Sequence, residues 1–172
     1  MAQILQSYAI IVIAAFTITS FLPLGSSDII EITCQKTPNV QLCDNILRND
    51  PKSSTANLNG LTLIIINSLA SRSNYTLKMI DQMLKDRPEL KSPLTECWND
   101  YNVISTFFIL DAIEAANNGD VQLGEESMYE VKDFAGQCDD QFKPNPSPFV
   151  NVHQMVSDMA DVTSSMFSMM SM

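Results

Sequence analysis

The chain has one histidine, five scattered glycines and only 10 Lys plus Arg in 172 residues. Each shortage removes a class of function. Against 20 Asp plus Glu, the formal net charge of −10 is the wrong sign for sequence-general binding to DNA, RNA or an anionic membrane. The glycines form no phosphate-cradling pattern. There is no C-x-x-C, the intervals between the four cysteines are irregular, and His153 is remote from them, so neither zinc nor another metal is expected. His153 has Phe149, Val150 and Val156 as helical neighbours, and no Ser or Cys is placed by sequence to be its nucleophile. The doublets Glu125-Glu126 and Asp139-Asp140 would diverge by about 100° on a helix, so they read as solvated faces rather than paired carboxylates. No catalytic residue or cofactor is expected.

Charge is also missing from residues 1–27, where Ala9 to Phe21 is an apolar run of signal-peptide length followed by Pro23 and Gly25. This predicts a cleavable leader cut before Asp28, although the usual Lys or Arg is absent from its start; the alternative is a retained anchor. The mature chain, 28–172, is then a single secreted domain, free of the membrane after cleavage, and long enough to bury a sizeable core. Four cysteines in a secreted chain argue for two disulfides, with three possible pairings. Cys34 and Cys43 flank Pro38 between two short helical segments within 28–49, which reads as a stapled helical hairpin. Cys97 and Cys138 are then left to pair, with crossed pairing as the alternative.

The stretch between those last two cysteines organises the rest. Leu94, Cys97, Tyr101, Ile104 and Phe108 recur at steps of three and four, as do Val121, Met128, Val131, Ala135, Cys138 and Phe142. Between the runs, Asn117-Asn118-Gly119-Asp120 stops one helix, allows positive φ and offers Asp120 as the next cap. An antiparallel helix pair results, stapled by a bridge closing roughly 40 residues and contributing about 4 kcal/mol on the chain-entropy model.

A turn-rich link, 49–55, precedes one long helix over 56–86 with Ile66, Leu69, Leu77, Ile80 and Leu84 inward. Leu63, Ile64 and Ile65 widen its apolar surface, so its first half is expected to be enclosed on more than one side, either by the hairpin or by an ordinary wide core. Ser92-Pro93 and Ser147-Pro148 each read as a helix start, and the second opens a stripe of Phe149, Val152, Val156, Met159, Met166 and Met170. The C-terminal methionines read as a soft core stripe in preference to a groove for a partner helix. The fold class is therefore all-α: an up-down-up-down four-helix bundle over 56–172 with an N-terminal helical hairpin and two disulfides. Asn74-Tyr75-Thr76 is the sole glycosylation sequon, placing Asn74 on the outer face of the long helix.

Several short stretches, taken together in order and spacing, resemble the plant invertase and pectin methylesterase inhibitor family over nearly the whole mature chain. They are Thr33-Cys34-Gln35-Lys36-Thr37-Pro38-Asn39 through Leu42-Cys43, Asp50-Pro51-Lys52-Ser53, Cys97 with Tyr101, Gln137-Cys138-Asp139-Asp140-Gln141-Phe142, and Ser147-Pro148-Phe149. The details look more like the invertase inhibitor branch. That resemblance implies a 1:1 complex with an acid invertase whose active-site cleft is blocked, no cofactor, and an extracellular, apoplastic or vacuolar location. Pectin methylesterase is the alternative target, and a bundle that has lost inhibition is a third reading.

In the invertase branch the contact runs through a Gly-Asp-Pro-Lys-Phe stretch, and the matching positions here are Gly119, Asp120, Val121, Gln122 and Leu123. Only the first two match. A lysine pairs with an active-site carboxylate and a phenylalanine fills an apolar subsite, whereas Gln122 offers neutral hydrogen bonds and Leu123 a smaller apolar body. For Val121 and Leu123, packing of the helix's first turn is the competing role.

Overall fold

The computed structural model describes residues 26–171, and the leader expected over 1–27 falls outside them but for its last two residues. Two short helices open the described residues, α1 (Ser26–Cys34) and α2 (Val40–Asn49). The side chain of Asn39 caps α2 by accepting from the Leu42 N–H at 3.1 Å. A 3₁₀ turn, Pro51–Thr55, then leads to α3 (Leu58–Asp86), whose first amides are met by Asn57 accepting from Gly60. The second bundle element comprises α4 (Lys91–Val103), a π-helical turn (Ile104–Phe108) and α5 (Ile109–Asn118). Helices α6 (Val121–Asp140) and α7 (Val150–Met170) complete an antiparallel four-helix bundle.

Both expected bridges are present, Cys34 to Cys43 and Cys97 to Cys138, with Cα separations of 5.5 and 4.4 Å. The first ties α1 to α2. The second ties the middle of α4 to the end of α6, toward the end of the bundle opposite the α5–α6 corner. Among the described residues no helix is long and apolar enough to cross a membrane.

Two apolar clusters make up the core. The larger runs down the bundle axis through Ile66, Leu69, Ile80, Tyr101, Met128, Phe149 and Phe167. The smaller joins Ile30, Cys34, Cys43 and Leu47 of the hairpin to Leu61, Ile64 and Ile65 of α3 and to Val162 and Met166 of α7. The wide apolar surface of α3 is therefore enclosed from the bundle on one side and from the hairpin on another. Met159 and Met166 are core residues, as the soft-stripe reading expects.

Three local expectations are corrected. Ser92-Pro93 does not begin its helix: a 3₁₀ turn at Pro88–Leu90 leads directly into Lys91, and Ser92 caps nothing. Pro93 is tolerated as the third residue because the first amides of a helix have no intrahelical acceptor in any case. At the other Ser-Pro pair, Ser147 Oγ accepts from the Phe149 N–H at 3.0 Å, and the helix begins two residues later than the pair implies, at Val150.

The third correction concerns the stripe on α4. It runs Leu94, Cys97, Tyr101, Ile104 and then jumps five places to Ile109, followed by Ala112 and Ala116. The π turn adds a residue between Ile104 and Ile109, so Phe108 rotates away from the expected inward position. Its ring instead meets Phe134 on α6 with centroids 5.2 Å apart, and Phe107 is left 63% exposed.

Candidate functional site

The chain turns sharply where α5 meets α6. Gly119 takes φ 71°, ψ 25°, the left-handed conformation that a side chain would strain, and so ends α5. The Asp120 N–H donates to the Ala115 carbonyl at 2.9 Å, closing off α5 behind it. The Asp120 carboxylate accepts from the Leu123 N–H at 3.0 Å and so starts α6. Two residues thus turn one helix into the next.

Three contacts from two other helices, α3 and α7, hold this corner. Asn59 on α3 donates from Nδ2 to the Ala116 carbonyl at 3.0 Å, supplying one of the acceptor's missing partners at the end of α5. Gly124 lies against the buried ring of Phe167, which brings the first turn of α6 onto α7. Ser168 on α7 donates to Glu125. None of these contacts was read from the sequence, because each joins residues that are remote along the chain. A glycine in an otherwise helical run was the one available signal, at Gly124.

The corner presents a mixed surface. Gly119, Asp120 and Gln122 are exposed, with Asn117 and Asn118 beside them, while Val121 and Leu123 are half-buried and pack against the main core. The five positions singled out in the sequence are therefore together in space, but not all face outward. Gln122 is the one long, freely exposed side chain in the first turn of α6, and it carries no charge.

The opposite end of the bundle holds the polar groups considered for catalysis. His153 Nδ1 lies 2.7 Å from Asp139 Oδ2, linking α7 to α6. The reading of Asp139-Asp140 as a solvated doublet is thus corrected: Asp140 is exposed beside Lys143, whereas Asp139 turns inward toward His153. The Tyr101 hydroxyl is fully buried, and burial, with Asp139 and Asp100 adding to it, pushes the phenol well above its usual range. Burial, with the charge of Glu96, pushes Asp100 up to about 6. Ser147 lines the same recess as His153, but its oxygen is used as an acceptor for the turn before α7. Among the described residues no set of His, Cys, Asp and Glu is arranged to hold a metal ion.

Comparison with known proteins identifies the family. A family profile described as plant invertase/pectin methylesterase inhibitor matches residues 28–170. The chain belongs to that family. It is 33% identical over 144 residues to a cell wall / vacuolar inhibitor of fructosidase from Arabidopsis thaliana, spanning 84% of this chain and 70% of the relative. It is 27% identical to a pectinesterase inhibitor from Actinidia deliciosa, spanning 80% of this chain and 77% of that one. The bundle also superposes on the crystal structure of a pectin methylesterase inhibitor from Arabidopsis thaliana with a TM-score of 0.62, at 23% identity, covering 84% and 97% of the two chains. The solved structure bears on the fold alone. Members of this inhibitor family act by binding enzymes and are not themselves enzymes.

Proposed function

We propose that this family member is a secreted inhibitor of an acid invertase, acting as a 1:1 complex in which the α5–α6 corner enters the enzyme's active-site cleft. The geometry of that corner carries the reading. A left-handed Gly119, a capping Asp120 and anchors from Asn59, Gly124 and Ser168 present a narrow, preorganised edge, so little ordering entropy is lost on docking. The relative named for cell wall or vacuolar inhibition of a fructosidase supports both the target and an apoplastic or vacuolar destination. On this reading residues 1–27 are a leader removed before secretion, and Gly119, Asp120, Val121, Gln122 and Leu123 form the contact. Val121 and Leu123 contribute mainly by fixing the first turn of α6, and Gln122 supplies the outward polar contact.

Pectin methylesterase is the second reading, favoured by one feature: the corner lacks a cationic side chain to meet an active-site carboxylate. The test is inhibition of an acid invertase and of a pectin methylesterase, side by side, by the oxidised protein and by its Gln122→Lys/Leu123→Phe variant. The expected result is inhibition of invertase alone, tightened roughly tenfold or more in the variant by a charge-assisted contact and a larger anchor. Invertase left fully active at micromolar protein across acidic pH would sink the proposal, and inhibition of pectin methylesterase alone would establish the second reading.

A further inference from the structure

Helix α2 lies against α3 and α7, and where the three diverge they leave a recess of about 420 Å³, within the size range of small-molecule pockets. Leu42 and Ile46 of α2, Tyr75 of α3, and Met155 and Met159 of α7 supply its apolar lining. Met159 is buried, whereas Met155 and Tyr75 are 37% and 56% exposed, so the recess passes from an apolar interior to an open mouth.

Its polar lining comes from Arg72 and two serines, with no carboxylate among them. The guanidinium decides the class of ligand. Of the three arginines in the chain, Arg48 is held by Asp44 and Arg87 by Glu89, while Arg72 forms no ion pair among the described residues. In a chain with a net charge of −10, an unpaired guanidinium beside an apolar recess provides local charge complementarity to an anion.

We propose that this recess binds a small amphipathic anion, an aliphatic or aromatic body carrying one carboxylate or sulfonate. The body lies against Leu42, Ile46 and the two methionines, whose unbranched thioethers adapt to its outline. The head pairs with Arg72. Such a ligand touches α2, α3 and α7 at once, so its binding stabilises the docking of the hairpin on the bundle. The recess is formed without α5 or α6, so this proposal does not depend on which enzyme the corner meets.

Fluorescence titration of the oxidised protein with anilinonaphthalene sulfonate, and with the neutral phenylnaphthylamine that lacks its sulfonate, tests the assignment. One saturable site is expected, with a raised melting temperature in the presence of the sulfonate. Arg72→Gln should weaken the sulfonate about tenfold or more while changing the neutral dye by less than about twofold. Met155→Glu, which places a carboxylate at the mouth, should weaken both. Both substituted side chains are at least partly exposed, so cooperative melting of each variant is expected and serves as the control for folding. The proposal is overturned by absence of saturable binding to the cooperatively folded protein, by Arg72→Gln binding the sulfonate as tightly as the native chain, or by equal loss of both dyes in that variant.

Discussion

Gly124 lies so close to Phe167 that a Cβ on the glycine would sit 2.4 Å from the ring. The ring is fully buried, so in a close-packed interior it can swing aside only by displacing its neighbours. Gly124→Ala therefore sets a helix-propensity gain of about 1 kcal/mol against overpacking of about 1–3 kcal/mol, and the overpacking wins. The variant should melt several degrees below the native protein. On the proposed contact, it should also inhibit acid invertase less well, because the displaced first turn of α6 carries Gln122. An unchanged or raised melting temperature would mean that α6 and α7 separate at no cost.

Asp100 makes stability depend on pH. Its carboxyl is raised to about 6 by burial and by Glu96, above the value of about 4 in an unfolded chain. The folded state therefore binds this proton more tightly, and stability rises as pH falls from about 7 toward 4. Above about 6 the carboxylate is ionised in its partly buried position and opposes folding. Melting temperatures taken between pH 7.5 and pH 5, both about a unit or more from the folded value, should increase toward the acid end, and Asp100→Asn should flatten that rise. An Asn variant with the native slope would assign the dependence to other groups.

The two disulfides should differ in what they hold. Cys97–Cys138 spans 41 residues and joins two bundle helices, worth about 4 kcal/mol in the chain-entropy model. Cys34–Cys43 spans 9 residues within the hairpin, worth roughly 3 kcal/mol. Replacing Cys97 and Cys138 by Ala should lower the melting temperature of the whole bundle more than replacing Cys34 and Cys43. The latter pair should chiefly speed hydrogen exchange in α1 and α2. Equal losses would show that hairpin and bundle unfold as one unit.

Asn74 is exposed on α3, whereas Thr76 of the same sequon is buried with its hydroxyl donating to the Arg72 carbonyl at 2.9 Å. We propose that a glycan is attached to Asn74 during secretion, before the folded helix encloses Thr76. Protein secreted from plant cells should lose mass on treatment with an amide-cleaving glycosidase, and Asn74→Gln protein should not. Identical masses before and after treatment would show the site to be empty.

Much of the local architecture is written in runs of four or five residues. Gly119 ends one helix through its backbone freedom and Asp120 begins the next through its side chain, so this boundary was legible. The stripe through Met128, Val131, Ala135 and Cys138 marked the buried face of α6 for the same reason. The stripe of α4 failed beyond Ile104 because the choice between Phe108 and Ile109 for the inward place is not made within the helix. Packing in the assembled bundle settles it, where Phe108 finds Phe134 on α6 and Ile109, Ala112 and Ala116 enter the main core.

The sequence alone determined an acidic all-helical bundle, the Gly119-Asp120 helix boundary, its candidate corner and its family, because periodicity, capping and motif spacing act over short stretches of chain. Only the tertiary structure decided that Asn59, Gly124 and Ser168 brace the corner, that Leu123 is half-buried while Gln122 is free, and that Asp139 meets His153. Those outcomes depend on how closely separate helices approach and at what rotation, which the packing of the assembled core sets and no single segment encodes.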